Sequence, residues 1–380
     1  MTRKICVVIT ARASYSRIKT VLTAIKKHPS LTLQLVVSGS ALSEKYGAVI
    51  KQIRSDEFEI AASFSNVMDG SNPVDSVKTV VLALSDLSTF FSHSKPDIVI
   101  TIADRFETSA TALSAAFMNI PLVHIQGGEI TGNIDDKVRN CITALADYHF
   151  VSTENAAKRV ISMGAKEENI FVTGCPSIDL VSEVFYQPKQ DFNPLTEYGG
   201  VGPSFDISNG YLVVMQHPVT NEYHFSGDQT LQTLKAIEQL EIPTFWFWPN
   251  SDPGTEGVSK MIRTYREDHP DVNIHFFKSI EPVHFLKLLK NSLCLIGNSS
   301  VGIRECASLG VPVVNIGSRQ KGRERGRNVI DVPYHCDAIL NATKRQITHG
   351  HYQPDPIYGN GNAAMHITEI LTNISLNTHM

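Results

Sequence analysis

Leu293-Cys294-Leu295-Ile296-Gly297-Asn298-Ser299-Ser300-Val301-Gly302-Ile303-Arg304-Glu305 passes from an unbroken apolar run, through a small polar turn, into residues spaced for a helix, with Ile303, Ala307 and Leu309 on one side. An apolar run of this kind reads as a strand buried on both faces. The turn places two hydroxyls and several N–H groups where a strand ends and a helix over Val301–Leu309 begins, a location that attracts anions. Downstream stands a cationic loop, Arg319, Lys321, Arg323, Arg325 and Arg327, broken by Gly322 and Gly326. Together these features predict a pyrophosphate cradle, although Asn-Ser-Ser before a helix is also an ordinary cap.

Outward from this stretch the same grammar repeats. Toward the N-terminus, short apolar runs occur at Ile5–Ile9, Leu33–Val37, Ile98–Ile102, Leu122–Ile125, Phe150–Ser152 and Ile170–Thr173. Helical spacing lies between them at Ile18–Lys27, Val77–Phe91, Glu107–Met118 and Asp136–Ala146. Tyr186 to Gly210 is rich in Pro and Gly and reads as a connector. The alternation then restarts with runs at Tyr211–Met215, Thr244–Trp248, Val272–Phe277, Leu293–Ile296, Val311–Ile316 and Asn328–Val332. Helices are expected at Asp228–Gln239, Val258–His269, Val283–Lys290, Val301–Leu309 and Asp337–Thr348, with a last one near Gly361–Leu376 that packs back on the first domain. The expected fold is α/β, with two Rossmann-like doubly wound domains, 1–185 and 211–359, facing a cleft suited to a nucleotide-sugar. The chain's 380 residues exceed what one core usually supports.

Bulk properties narrow the function. With 34 Lys and Arg against 38 Asp and Glu, the formal charge is −4, so nothing favours nucleic acid or an anionic membrane as partner. The six cysteines lack metal-ligand spacing and read as buried thiols of a reducing compartment. Arg3-Lys4 before Ile5–Ile9 is shaped like a leader, but the apolar stretch is short of the roughly 7–15 residues a signal peptide needs. A soluble cytoplasmic protein is expected, with no metal and no cofactor.

Polar residues gather where the apolar runs stop. They include Arg12 and Ser16; Asp104 and Arg105; Gln126 and Glu129, followed by Asp135-Asp136; then Gln216-His217, Asn250 and the Asn-Ser-Ser turn. Open α/β sheets bind ligands at these strand ends. Asp135-Asp136 could instead cap the following helix, and His217 could be structural.

In this order, the residues resemble the hydrolysing UDP-N-acetylglucosamine 2-epimerases, which make N-acetylmannosamine for sialic-acid-type sugars. The resemblance runs over nearly the whole chain. It is carried by Arg12, Ser16, Asp104-Arg105-Phe106, His124-Ile125-x-Gly127-Gly128-Glu129, Thr131-Gly132-x-Ile134-Asp135-Asp136 and Arg139. In the second half it is carried by Gln216-His217-Pro218-Val219-Thr220, Pro249-Asn250, Gly297-Asn298-Ser299-Ser300 with Gly302, Arg304 and Glu305, and Gly317-x-Arg319-Gln320-x-Gly322-Arg323. The resemblance implies the two-Rossmann glycosyltransferase-B fold and a homodimer or homotetramer. It implies that His217, Asn250, Ser299, Ser300, Glu305 and Arg319 hold UDP, with Arg12, Ser16 and Gln126 near the nucleotide-sugar. Asp104, Arg105, Glu129, Asp135 and Asp136 would be the sugar-side catalytic cluster.

Three positions depart from the pattern. Ser14 stands where many relatives have an acid, Ala41 where many have histidine, and Gln126 where several have a glutamate that is the usual candidate base. An amide cannot accept that proton. The base therefore moves to Asp104, Glu129, Asp135 or Asp136, with Asp104 or Asp135 favoured. These departures also point to a modified hexose, such as a 2,4-diacetamido-6-deoxy sugar, as an alternative substrate. A glycosyltransferase or a silent nucleotide-sugar sensor are the other readings of the same features.

Overall fold

In the computed structural model, which describes residues 2–68, 73–132, 134–186, 191–250 and 252–376, the twelve apolar runs become strands and, with one further strand, form two sheets. The first sheet contains β1 (Arg3–Ile9), β2 (Leu31–Ser38), β3 (Ile60–Phe64), β4 (Ile98–Ile102), β5 (Leu122–Ile125), β6 (Tyr148–Val151) and β7 (Ile170–Val172), in the order β3-β2-β1-β4-β5-β6-β7. The second contains β8 (Leu212–Met215), β9 (Thr244–Phe247), β10 (Ile274–Phe277), β11 (Cys294–Gly297), β12 (Val313–Ile316) and β13 (Val329–Val332), in the order β10-β9-β8-β11-β12-β13. Neighbouring strands in both sheets pair in parallel.

Two compact units contain the sheets. Unit 1 comprises Met1–Glu129, Ile134–Leu180 and Tyr358–Met380; unit 2 comprises Ile130–Asn133 and Val181–Ile357. The consecutive apolar residues of β1 show why its sheet must be covered twice. Ile5, Val7 and Ile9 enter a core with Ile18, Val21 and Leu22 of the helix Arg12–Lys27. Cys6 and Val8 point the other way, into a core with Ala83, Leu87 and Phe91 of the helix Pro73–Ser94. Successive strand side chains alternate faces, so an unbroken apolar run demands helices on both.

The last helix, Ala363–Asn373, belongs to unit 1. Ile367 and Leu371 join the core beside Ile18 and Leu22. The buried Asp179 carboxylate accepts the N–H groups of Ala363 (2.9 Å) and Ala364 (2.8 Å) and the Thr20 hydroxyl (3.1 Å). Arg3 donates to the carbonyls of Leu371 and Ile374 at the helix's far end. Each helix terminus thus has a side-chain partner for its orphan groups.

Several local expectations are corrected. β3 was not anticipated; it is an edge strand paired only with β2, and its side chains alternate between half-buried and exposed. The first helix begins at Arg12, so Arg12 and Ser16 lie in its first turns instead of a loop. Helices at Glu154–Ser162 and Ser177–Tyr186 were also unforeseen. The helix expected over Val301–Leu309 is two short pieces, Ser300–Ile303 and Glu305–Leu309, separated at Arg304. Cys141 is exposed, not a buried thiol. Residues 187–190 of the Pro- and Gly-rich connector, and Asn133 of the Thr131-Gly132-Asn133 turn, lie outside the described residues. Among the described residues no helix is long and apolar enough to cross a membrane.

Candidate active site

Each sheet reverses its strand order once, between β1 and β4 in unit 1 and between β8 and β11 in unit 2. The crevice outside the strand ends at such a reversal is where doubly wound sheets bind ligands. In unit 1, Arg12 follows β1 while Asp104 and Arg105 follow β4, one on each side of the reversal. Two of the strand-end residues there have left-handed backbones, Ala103 at φ 64° and Gln126 at φ 67°. Such conformations are costly for residues with a Cβ and cluster at functional positions. Gly128, at φ 75°, has no room for a side chain: a Cβ would stand 2.3 Å from the Ala156 carbonyl oxygen.

The acids of unit 1 converge on one guanidinium. Arg139, fully buried on the helix Ile134–Leu145, donates Nη2–H to Asp104 Oδ2. Its Nη1 donates to Asp136 Oδ1 (2.6 Å) and to the Glu129 carbonyl (2.6 Å). Burial pulls this guanidinium down, but the anions Asp104, Glu129 and Asp136 more than offset it and leave its pKa above the ordinary value. Arg17 approaches Asp104 Oδ1 at 3.9 Å from the other side. Glu129 Oε1 accepts the Ser152 hydroxyl at 3.1 Å, and Asp135 stands beside Asp136 in the first helical turn.

Arg105 is held by Glu107 in a two-bond fork, Nε to Oε2 at 3.0 Å and Nη2 to Oε1 at 2.9 Å. Burial, and then the neighbouring Arg105 charge, push the Arg12 pKa down to about 10. Two cations at one strand reversal make a place that favours an anion. Beneath them, His124 is locked neutral: Nε2 meets the Ala103 carbonyl at 2.9 Å and Nδ1 meets Thr143 Oγ1 at 3.0 Å, and burial drives its pKa down to about 3. Since a carbonyl only accepts, Nε2 carries the proton and Nδ1 accepts from Thr143. Gln126 turns its amide to Cys175 Sγ (3.0 Å), which in turn contacts Ser177 Oγ (3.0 Å). Ser16 Oγ donates to the Ala13 carbonyl of its own helix.

Unit 2 builds its reversal from an amide. The Asn298 side chain, just past β11, accepts the His217 N–H at 2.7 Å and donates to the His217 carbonyl at 2.8 Å. This pair ties the end of β11 to the end of β8. Gly297 must precede it, because at φ 137° a Cβ would meet the Met215 carbonyl oxygen at 2.1 Å. His217 Nδ1 accepts the Asn250 N–H at 3.2 Å, so three strand ends are linked through one histidine. Ser299 caps the short helix that follows, its Oγ accepting the Val301 N–H at 3.4 Å, and Ser300 opens that helix. Arg319, beyond β12, donates to the Asn298 carbonyl at 3.3 Å and lies 3.8 Å from Asp252. Gln320 donates to the same carbonyl at 2.9 Å. Glu305 is buried, and its Oε2 has no hydrogen-bond partner among the described residues.

Four residues matter more than their sequence context implied. Arg139 sits three residues after Asp136, on the same helix face, and that spacing is its only signal in the sequence. Glu107, two residues after Arg105, was readable only as a helix start. Asn298 reads as part of a cap but serves as the bridge between strands. Arg17 carries no sequence signal at all, since its approach to Asp104 depends on the pairing of β1 with β4.

The family model of UDP-N-acetylglucosamine 2-epimerase matches residues 23–372. The hydrolysing UDP-N,N'-diacetylbacillosamine 2-epimerase of Legionella pneumophila is 34% identical over 100% of this chain and 98% of that protein. A UDP-N-acetylglucosamine 2-epimerase of Neisseria meningitidis serogroup B is 31% identical over 95% of this chain and 92% of that protein. Among solved structures, the Neisseria meningitidis UDP-GlcNAc 2-epimerase bound to UDP-GlcNAc superposes with a TM-score of 0.76 at 18% identity, covering 98% of this chain and 100% of that one. The Methanocaldococcus jannaschii enzyme in complex with UDP-GlcNAc and UDP gives 0.79 at 16% identity, covering 97% and 99%. At such identities the structural likeness speaks to the fold alone, α/β with two doubly wound parallel sheets of the glycosyltransferase-B type. Matched along nearly its full length by the family's own sequence pattern, the chain belongs to the UDP-N-acetylglucosamine 2-epimerase family.

Proposed function

We propose that this protein is a hydrolysing UDP-N-acetylglucosamine 2-epimerase that releases UDP and N-acetylmannosamine through a glycal. The observation that carries the reading is the set of acids gathered around the buried Arg139 at the strand ends of unit 1. A ring C2–H is not acidic until the C1–O bond to UDP weakens and positive charge grows at C1. Carboxylates are the groups that stabilise such a carbon and accept the proton from C2. Loss of UDP from C1 and of the proton from C2 leaves a C1=C2 double bond. Water then adds, its hydroxyl to C1 and a proton to the opposite face of C2.

In this reading unit 2 takes the nucleotide. Arg319, His217, Asn250 and the N–H groups at Ser299-Ser300 serve the diphosphate and base. The buried Glu305 Oε2, an acceptor with nothing bonded to it among the described residues, suits a ligand hydroxyl. Asp104, Arg105, Glu129, Asp135 and Asp136 serve the sugar, with Arg12, Ser16 and Gln126 beside it. The relatives named as bound to or acting on UDP-GlcNAc support the substrate class.

A second reading keeps the chemistry and changes the sugar. The Gln126 amide, which cannot act as a base, is engaged with Cys175 Sγ, and a relative 34% identical is named for diacetylbacillosamine. Purified protein is incubated in deuterated water with UDP-GlcNAc and, separately, UDP-diacetamido-bacillosamine, without any acceptor. Free UDP with deuterium at C2 of the released sugar is expected. UDP release only on adding an acceptor would mark a glycosyltransferase; UDP retained on the epimer, a non-hydrolysing enzyme; tight binding without product, a sensor. Turnover of the diacetamido sugar alone selects the second reading.

We also place the protein in the cytoplasm as a homo-oligomer built on unit 1. The helix Pro73–Ser94 leaves Val74, Val77 and Val81 exposed along one side, and Phe117 is 83% exposed. A row of valines at three- and four-residue spacing is an unusual solvent face. Sedimentation of the wild type against a Val77→Asp, Val81→Asp variant tests it; a wild-type monomer ends it.

A further inference from the structure

Arg139 is a cation removed from solvent, and the bonds of its fork fix two side chains that the sequence separates by 32 residues. One Nη holds Asp104, from the end of β4; the other holds Asp136, from its own helix, and the Glu129 carbonyl, from the loop after β5. The charged and titratable groups facing Asp104 include Arg139 from the helix Ile134–Leu145, Arg17 from the helix Arg12–Lys27, and the neutral His124 from β5. Those facing Arg139 include Asp104, Glu129, Asp136 and the neutral His124, with the carboxylates of Asp104 and Asp136 hydrogen-bonded to it and that of Glu129 acting through its charge. A carboxylate gripped by a buried guanidinium is stabilised as the anion and resists taking a proton.

We propose that Arg139 is the positioning residue that divides labour among the acids of unit 1: it holds Asp104 as a standing anion and fixes the Asp136 side chain in place, and proton transfer at the sugar falls to a carboxylate whose oxygens lie outside its fork. Glu129, whose Oε1 is held by the hydroxyl of Ser152, is the first candidate for that transfer. Asp104, one of the two acids that the sequence favours as base, is then an electrostatic partner of the carbon that loses UDP. The assignment rests on the epimerase reading above. It goes beyond that reading by giving a residue with no reacting atom of its own control over which acid does which task.

Two variants test it in the full-length protein. Arg139→Gln removes the charge and the fork; Arg139→Lys keeps the charge and loses the fork. In Arg139→Gln we expect kcat to fall by about 100-fold or more with KM within threefold, and the acid limb of the kcat profile to move toward neutral by about one pH unit, because Asp104 then holds a proton more readily. Arg139→Lys should restore the position of the acid limb and only part of kcat. The UDP dissociation constant, a property of unit 2, should change in neither. Equal losses in both variants with an unmoved acid limb, or wild-type kcat in Arg139→Lys, overturns the proposal.

An activity-independent arm separates this from failure of the epimerase reading. The side-chain carboxyl carbon of Asp104, labelled with carbon-13 and assigned through Asp104→Asn, is titrated by NMR in the wild type and in whichever Arg139 variant folds. In Arg139→Gln the signal should titrate at higher pH than in the wild type, and in Arg139→Lys close to it. An Arg139→Gln titration at the wild-type position, or an Arg139→Lys titration displaced as far as expected for Gln, refutes the division of labour even if no sugar is turned over.

Discussion

The two units share a strand order and differ in what they place at its reversal. Unit 1 runs β3-β2-β1-β4-β5-β6-β7 and unit 2 runs β10-β9-β8-β11-β12-β13, so in each the first strand lies beside the fourth. At this shared point unit 1 sets buried ions against one another: Asp104 on Arg139 and Arg105 on Glu107. Unit 2 sets a neutral amide there, Asn298 clasping both backbone groups of His217. Paired ions in a dry setting hold charge in readiness for a reaction that creates charge. An amide clasp shapes backbone and leaves its surroundings open to a ligand's own charge. In the proposed reading one topology supports two tasks, and the side chains decide which.

The sharpest way to break this contrast is Asp104→Asn. UDP release should fall about 10³-fold, since electrostatic groups at a reacting centre contribute on this scale, while the UDP dissociation constant measured by calorimetry stays put. A parallel loss of UDP affinity would erase the distinction between the units.

Acid should strike unit 1 next. Burial lowers the pKa of His124 to about 3 and of His149 to about 4, so both stay neutral in the folded protein where the unfolded chain would bind protons. The stability they confer is complete above the unfolded value near 6.5 and drains as pH falls toward the folded values, by about 3 kcal/mol for each histidine at pH 4. Urea unfolding followed from pH 7 to pH 4 should show this slope, and His149→Gln should remove roughly half of it. An unchanged slope in that variant would clear His149 of the effect.

Smaller effects belong to unit 2. Arg319→Ala should weaken UDP by about 2 kcal/mol, roughly 30-fold, by removing a charge-assisted contact, and should leave the pH dependence of stability untouched. Ser299→Ala should cost only about 0.5 kcal/mol of stability, because the cap bond to Val301 is long at 3.4 Å. A ten-fold or greater loss of UDP affinity in that variant would mean that the hydroxyl serves the ligand more than the helix.

Strands buried on both faces were the most readable part of the chain. Ile98–Ile102 and Leu122–Ile125 announce themselves as unbroken apolar runs, and the structure gives β4 and β5 those bounds. β3 was hidden because Ile60 to Phe64 alternates and needs only one neighbour, so nothing in its composition exceeds that of a loop. The break at Arg304 was equally silent: Ile303, Ala307 and Leu309 keep helical spacing across it, and all three are buried although the backbone leaves the helix between them. The strand ends could be located from the sequence, whereas the bonds across them could not. Asp104 meets Arg139 only because β4 and β5 pair and bring two loops together. Gln126 meets Cys175 only because β5, β6 and β7 are successive neighbours. Strand pairing, which a single sequence does not print, decides these contacts.

The carboxylate of Asp179, fastened to the amides of Ala363 and Ala364, has a consequence for how the protein is made. The helix it receives is translated after the whole of unit 2, yet completes the core of unit 1. On the ribosome the lobe that starts first is finished last: unit 2 has all of its residues while its elder neighbour still waits, one flank of apolar core uncovered, for the closing helix. A nascent chain stalled before residue 363 would carry a second unit with all of its strands and a first unit with the apolar face that receives Ile367 and Leu371 still bare.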